Sequence, residues 1–391
     1  MTSQPNYPYP TLDLGPLEPL LEDSAVMEIM VNNYETIYVE RHGRIEKVDA
    51  QFRSEDHLLS IIRMILEPMG LRADESSPIV DGRLPDGSRV HVVLYPIAIN
   101  GHNLTIRKFL VNPLTIDELI GYQSLTPEIA DFLKACVIGR MNILVSGGTG
   151  SGKTTILNTL ANFIPDDERI IILEDSASLQ LKQPHCIILE TRPANIEGRG
   201  EVNLRQLVQS AMKMHADRIV INEVNSGEVA DILEAMNTGF DGSMFAIHAN
   251  SPRDAFTRLE VMATMSGLSL TLLAIRERIA TGIDVVVQQM RLPDGRRKIV
   301  SVSEVTGMQG DMIVVRDIFR FVQTGRGDEG ISGYFAPTGQ IPSFMNRLAD
   351  MGINLPMQMF TAPYGTPPVP PVPPEPPVPP VPPVPPIPPQ K

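Results

Sequence analysis

The sequence predicts an α/β protein of two domains, a mixed α/β sheet domain followed by a larger domain built on a parallel sheet, with a disordered polyproline tail. Three patterns carry that prediction. The stretch NILVSGGTGSGKTTILNTL at residues 142–160 reads as strand, glycine-rich loop and helix. Strand-like and helix-like segments alternate around and after it, as in a parallel sheet covered by helices on both faces. From Pro367 to Pro389 the chain repeats Pro-Pro-x, the period of a polyproline II helix.

In chain order, residues 1–14 are polar and proline-bearing and read as a flexible arm. Residues 15–110 read as the N-terminal α/β domain. Within it TIYVERHGRIEKV alternates about His42-Gly43, a hairpin pattern. Ser54 precedes Leu58, Ile61, Ile62 and Ile65 at helical spacing, so Ser54 is the expected N-cap and Gly70 the stop. SRVHVVLYPIAI and NLTIRKF read as two strands joined by Asn100-Gly101-His102. Residues 111–125 read as a linker, with Pro113 near its start and Pro127 just past its end. Residues 126–345 read as the ATPase domain, closed by a β-addition: a hairpin turning at Asp294-Gly295 and a third strand in MIVVRDIFRF. Residues 346–366 form a C-terminal extension and 367–391 the tail. Val369, Val372, Glu375, Val378, Val381, Val384 and Ile387 make one stripe along the tail. At ~3.1 Å per residue the run reaches ~70 Å. A stiff spacer and a docking rod for an aromatic-lined groove both fit it; its partner is unknown from sequence.

Composition narrows the function. A chain of 391 residues can bury two cores, and 42% hydrophobic with 20% charged residues is ordinary for a soluble globular protein. The net charge of −13 argues against nucleic acid as the main partner, since a basic face supplies most of that affinity. Cys136 and Cys186 fall on separate predicted elements without CxxC or Cys/His spacing, so reduced, partly buried thiols and no metal cluster are expected. No run resembles a signal peptide or the ~18 apolar residues of a membrane helix. The expected location is cytoplasmic, with docking on a membrane protein left open.

The chemistry centres on residues 147–154. Gly147, Gly148, Thr149, Gly150, Ser151, Gly152, Lys153 and Thr154 fit GxxxxGK[ST] in full, and Thr155 follows in the same helical turn. The glycines let backbone N–H groups curl around phosphates, Lys153 reaches the β- and γ-phosphates, and the Thr154 hydroxyl ligates Mg²⁺. The strand expected at Asn142–Ser146 and the helix expected at Lys153–Phe163 give the motif its required setting, with the positive end of the helix at the anion. ATP and Mg²⁺ are therefore the expected ligands. Two acidic strand ends follow. RIIILEDS places Glu174 and Asp175 after an apolar run, and RIVINEV places Asn222 and Glu223 after another. Glu223 is the first candidate for general base and Glu174 the second. Asn222 stands where many P-loop ATPases carry the aspartate that holds the Mg²⁺ shell; it can accept a hydrogen bond from a metal-bound water but adds no charge. SMFAIHANSP carries His248 at a third strand end, suited to touch the γ-phosphate or the acidic groups.

Several longer segments, GPLEPLLEDSAVMEIMVNN, DESSPIVDGRLPDGSRVHVV, LETRPANIEGRGEVNLRQLV, FAIHANSPRDAFTRLE and GYFAPTGQIPSFMNRLADMGINLP among them, resemble the secretion ATPases of type II and type IV systems. The resemblance runs from residue 15 to about 356 and is nearest the CpaF-type ATPases of Flp/Tad pilus assembly. It implies a PAS-like N-terminal sheet domain joined to a RecA-like ATPase domain, and a homohexameric ring. It also implies ATP between the two domains near a neighbouring subunit, and a cytoplasmic motor peripheral to the inner membrane. Such a motor feeds pilins through an inner-membrane platform protein. Four motifs carry over: the Walker A segment, an Asp box at Leu173-Glu174-Asp175, a Walker B ending at Glu223, and a His box around His248. Arg89 and Arg107 match N-domain arginines that reach the phosphates, and Arg83 is a weaker match. Arg192 and Arg205 match arginines near the ATP site and the subunit interface.

The sequence departs from that family around Walker B. Where relatives read MRPDRI and GEVRG, this chain reads MHADRI and NEVNSG, with His215 for an arginine, Asn222 for a glycine and Asn225 for an arginine. An arginine lost from the transition state costs ~10³-fold or more in rate, whereas one that only braces the interface costs little. A working but slow or divergently coupled ATPase is expected. A non-hydrolysing regulatory ring component is the alternative, and a RecA-like nucleic-acid motor a further one.

Overall fold

The computed structural model describes residues 13–41, 44–84, 86–108, 113–192, 199–327 and 330–361. The arm up to residue 12, the His42-Gly43 turn, the start of the linker, residues 193–198 of the LETRPANIEGRG segment and the polyproline tail lie outside the described residues.

The first half builds one antiparallel sheet. A short helix α1 (Glu18–Glu22) leads into strands β1 (Val26–Asn33), β2 (Thr36–Arg41) and β3 (Arg44–Val48), then helix α2 (Glu55–Leu66), then β4 (Ile79–Arg83), β5 (Arg89–Val93) and β6 (Asn103–Arg107). The strand order is β3-β2-β1-β6-β5-β4, and every neighbouring pair is antiparallel. Helix α2 starts where Ser54 accepts from the His57 N–H, with Glu55 and Asp56 in its first turn, an arrangement that satisfies an orphan donor and favours the helix dipole. Its Leu58, Ile61, Ile62 and Ile65 are buried with Ile29, Val31, Ile37, Val39, Val90 and Ile106 of the sheet. Since strand side chains alternate, the other sheet face carries the intervening polar residues. One expectation is corrected. The strand read into SRVHVVLYPIAI stops at Val93, because Pro96 has no N–H for a ladder and the Ala98 N–H turns back onto the Leu94 carbonyl.

The second half builds a nine-stranded mixed sheet. Helices α3 (Ile116–Gly121) and α4 (Pro127–Ile138) precede β7 (Ile143–Gly147) and α5 (Lys153–Ala161). Then come β8 (Ile170–Glu174), β9 (Cys186–Glu190), α6 (Leu204–Ala211), β10 (Arg218–Val224), α7 (Val229–Asn237), β11 (Met244–His248), α8 (Pro252–Thr264), α9 (Leu272–Gly282), β12 (Val285–Arg291), β13 (Arg297–Gln309), β14 (Met312–Gly327), β15 (Gly330–Pro337) and α10 (Met345–Asp350). The order is β15-β14-β13-β12-β7-β11-β10-β8-β9. The run from β12 to β9 is parallel, and β13 to β15 add on antiparallel. Side-chain parity divides the core. Ile143, Val145, Ile170, Ile172 and Val220 pack with α4 and α5 on one face, and Leu144, Ile171, Leu173, Ile219 and Phe245 pack with α6 to α9 on the other. Continuous apolar strands of this kind mark a sheet covered on both sides.

Three differences from the sequence reading follow from side-chain contacts. The segment read as a linker carries α3, closed by a capping box between Thr115 and Glu118. Helix α5 ends at Ala161, two residues before the expected Phe163, where the Asn162 amide donates to the Asn158 and Gln180 carbonyls. The C-terminal extension is core material: Leu348 and Phe360 are fully buried, and Phe360 packs edge-on against Phe132 of α4 at 5.8 Å. Both cysteines are free, Cys136 buried and Cys186 half-buried.

Candidate functional site

Strand β7 lies at the centre of the nine-stranded sheet, with β11 and β12 hydrogen-bonded on either side. The GGTGSGKT loop leaves its C-terminal end and turns into α5. That is where open parallel sheets bind ligands. Gly150 and Gly152 sit at φ +68° and +98°, a region other residues enter at a cost. A Cβ at Gly147 would meet the Gln289 carbonyl at 2.5 Å. Gly147 pairs in register with His248 of β11 and Gln289 of β12. His248 Nδ1 lies 3.4 Å from Thr149 Oγ1.

Lys153 is buried at the start of α5. Its ammonium donates to the Gly148 carbonyl at 3.3 Å and stands 3.8 Å from Glu223 Oε1 at the end of β10. Burial pulls the Lys153 amine below its ordinary range; Glu223 opposes that pull and the charge of Arg107 adds to it. Glu174, at the end of β8, is buried and accepts from the Ser178 N–H at 2.9 Å, the Ser178 hydroxyl at 2.8 Å and the Leu179 N–H at 3.1 Å. Burial raises its carboxyl above the usual range, and these bonds oppose the rise. Asn222 donates its amide to Ser178 Oγ at 2.9 Å. One serine thus joins the two strand ends.

The polar face of the N-terminal sheet meets this region through a single row of charges. Arg83 of β4 pairs with Arg89 of β5, Arg89 with Arg107 of β6, Arg107 with Glu28 of β1, and Glu28 with Glu40 of β2. Directly opposed residues share a face, and like charges opposed in this way destabilise a sheet. The row is therefore costly without counter-charges from outside. Arg83 donates to Glu190 at 2.9 Å and to the Ala177 carbonyl at 2.8 Å. Arg89 donates to the Ser176 carbonyl at 3.1 Å. Burial, then Arg107, pull the Arg89 guanidinium down, while Glu174 and Asp175 support its charge. Glu40 receives Arg297 of β13.

The structure thus gathers the 147–155 loop, Glu174, Asn222, Glu223, His248, Arg89 and Arg107 at the C-terminal end of the parallel strands. Arg192 and Arg205 are engaged elsewhere. Arg192 donates to the Gly200 carbonyl at 2.7 Å. Arg205 pairs with Asp231 of α7 at 2.8 Å and donates to the Ser266 carbonyl. Ser178, Glu28, Glu40 and Arg297 were missed by the sequence reading. Only the register across β1, β2, β5 and β6 brings Glu28 and Glu40 into line with the arginines, and no sequence spacing encodes that register.

The residues present suit a polyphosphate with a divalent cation. Buried Ser151 Oγ and Asn222 Oδ1 have no partner among the described residues, which leaves a donor in the loop and an acceptor at the end of β10. A glycine-rich loop on the central parallel strand, flanked by acidic and histidine strand ends, is the construction of a P-loop nucleotide-binding protein. Comparison with known proteins narrows the class. The family model described as type II/IV secretion system protein matches residues 11–311, and the chain belongs to that family. A putative conjugal transfer protein of Mycobacterium tuberculosis is 34% identical over 304 residues, covering 76% of this chain and 85% of that one. The conjugal transfer protein TrbB of Rhizobium radiobacter is 32% identical over 294 residues, covering 74% and 86%. The X-ray structure of the Yersinia pseudotuberculosis ATPase DotB superposes with a TM-score of 0.56 at 17% identity, covering 80% of this chain and 84% of that one. It shares the fold.

Proposed function

We propose that the chain is an ATPase that powers secretion or pilus assembly, working as a homohexamer of the CpaF-type, Flp/Tad branch on an inner-membrane platform protein. The observation that carries this reading is the arginine row of one domain facing the P-loop and acidic strand ends of the other. A nucleotide held there touches both domains, so its hydrolysis changes how they pack.

In this reading Lys153, Arg89 and Arg107 hold the phosphates, Thr154 and Asn222 serve the Mg²⁺ shell, and the metal supplies charge neutralisation on the phosphate oxygens. Glu223 takes the proton of the attacking water as the bond between the γ-phosphorus and the ADP oxygen breaks. Glu174 is bound by three donors from Ser178 and Leu179, which supports a bracing role and makes Glu223 the better base. His248 beside Thr149 suits a residue that senses the γ-phosphate. The conjugal transfer names of two relatives support an export role, and pilin assembly is the finer reading. Among the described residues no helix is long and apolar enough to cross a membrane, so membrane association is assigned to the platform partner.

The test is Mg²⁺-dependent ATP turnover with mass in solution, beside Glu223→Gln. Turnover by a hexamer, abolished in the variant, supports the motor. Tight nucleotide binding without turnover in either protein replaces it with a regulatory ring component, and DNA-stimulated turnover with a nucleic-acid motor.

A further inference from the structure

The charge row of the N-terminal sheet ends at Glu40, and from there one side chain spans the domains. Arg297, at the start of β13, donates through Nη2 to Glu40 Oε1 at 2.9 Å. Through Nε it donates to the Gly150 carbonyl of the P-loop, also at 2.9 Å. Its stem lies over the same loop: a Cβ on Gly152 would stand 3.2 Å from Arg297 Cδ. The pair is largely withdrawn from water, with Glu40 16% and Arg297 33% exposed, so screening weakens it less than an open surface pair. A guanidinium is suited to this task because its donors form a rigid planar fork that serves two acceptors at once.

The bond to Gly150 has a directional consequence. A trans peptide unit is planar, with its C=O and N–H pointing opposite ways. Holding the Gly150 carbonyl from outside therefore aims the Ser151 N–H at the inner side of the loop. There it donates to the Gly148 carbonyl, the acceptor that Lys153 also uses. Gly150, whose ψ is one of the two dihedrals that turn this peptide over, has the backbone freedom of glycine, so the loop needs an external restraint to keep it.

We infer that Arg297 is a positioning residue that reports the placement of the N-terminal sheet to the P-loop. When the sheet sits against the ATPase domain, Glu40 fixes Arg297 and Arg297 fixes the Gly150–Ser151 peptide. When the sheet moves off, the guanidinium loses its anion and the loop loses its clamp. Communication runs through this contact in addition to any arginine that touches the nucleotide. The inference rests on the nucleotide-binding reading for its functional meaning, but the clamp itself does not depend on it.

The experiment combines hydrogen exchange of full-length protein over residues 147–155 with equilibrium binding of a fluorescent ATP analogue. It uses wild type, Glu40→Gln, Arg297→Lys, Arg297→Ala and the double variant Glu40→Gln/Arg297→Ala, with thermal unfolding alongside. Loop amides should exchange about tenfold faster in Glu40→Gln and Arg297→Ala while amides of α2 and α4 stay protected. Analogue affinity should fall several-fold in both. Arg297→Lys should recover part of the loss, and the double variant should be no worse than Arg297→Ala. Loop exchange unchanged by Glu40→Gln, or losses that add in the double variant, overturns the inference. Faster exchange in a protein that binds no nucleotide leaves the clamp standing and sinks the ATPase reading instead.

Discussion

The Lys153 ammonium and the Glu223 carboxylate face each other at 3.8 Å across the end of the central sheet. Each offsets the other's charge in a place where burial disfavours the cation. Their separation leaves the pair loose enough to be divided by a ligand.

Glu223→Gln removes one negative charge from the anion-binding region and keeps the shape. Turnover should fall by ~10²–10⁴, the range expected for loss of a general base. Affinity for nucleotide should hold or rise, because Lys153 no longer shares its field with a carboxylate. Parallel titration and turnover measurements check this. Affinity lost in step with turnover would make Glu223 a structural partner of Lys153 rather than a base.

Glu174 carries a pH signature. Its folded carboxyl lies above the usual range of about 4.3 because of burial, so the folded state binds more protons than the unfolded state between those two values. Stability therefore falls as pH rises through that window and stays reduced above it. Ser178→Ala deletes the hydroxyl that donates to Glu174 at 2.8 Å and accepts from Asn222 at 2.9 Å, moving the folded value higher still. The variant should lose ~1 kcal/mol or more at pH 8 and less at about pH 3, below the ordinary glutamate value, where the carboxyl is protonated in both states. Denaturant midpoints across that range decide it. An equal loss at every pH would mean that the serine serves only Asn222.

Much of this architecture is readable from residue types alone. GGTGSGKT between an apolar strand and a helix has one common structural solution, and the apolar runs ending in Glu174, Glu223 and His248 place those groups at strand ends. The N-terminal helix was legible because Ser54 and the 3.6-residue spacing of its leucine and isoleucines agree. What stayed hidden depends on pairing between distant segments. Arg83, Arg89 and Arg107 become one row only through the β4-β5-β6 register. Strand β15 has few consecutive apolar residues, with Gly330 and Gly333 inside GISGYFAP, and only pairing with β14 reveals it. The burial of Phe360 was illegible because its partners Phe132 and Phe319 lie far away in the chain.

The sheet domain is held by polar contacts that cost little to break singly. Arg83 and Glu190 are each about one-third exposed, and such pairs contribute ~0–1 kcal/mol. Arg83→Ala combined with Arg89→Ala removes the pair and the bonds to the Ala177 and Ser176 carbonyls. Unfolding stability should change by no more than about 2 kcal/mol, while the radius of gyration from small-angle scattering should increase as the domains separate. An unchanged radius would show that the remaining contacts, Glu40 to Arg297 among them, suffice to hold the domains together.

The C-terminal extension makes the opposite case. Phe360 is fully buried, 5.8 Å from Phe132 and 6.1 Å from Phe319 between ring centres. Leu348 of α10 fills the space beside Gly139, and Arg347 donates to the Arg140 carbonyl at 2.8 Å. A phenylalanine in such a cluster carries apolar burial plus edge-to-face contacts. Phe360→Ala should therefore cost about 3–5 kcal/mol, whereas Met357→Ala, at a side chain 48% exposed, should stay within ~0.5 kcal/mol. Analogue affinity of the folded Phe360→Ala protein should be unchanged, since the cluster lies under α4 and away from the loop at 147–155. Chemical denaturation followed by intrinsic tyrosine fluorescence gives the comparison. A loss below about 1 kcal/mol at Phe360 would mean that the extension peels from α4 before the ATPase domain unfolds.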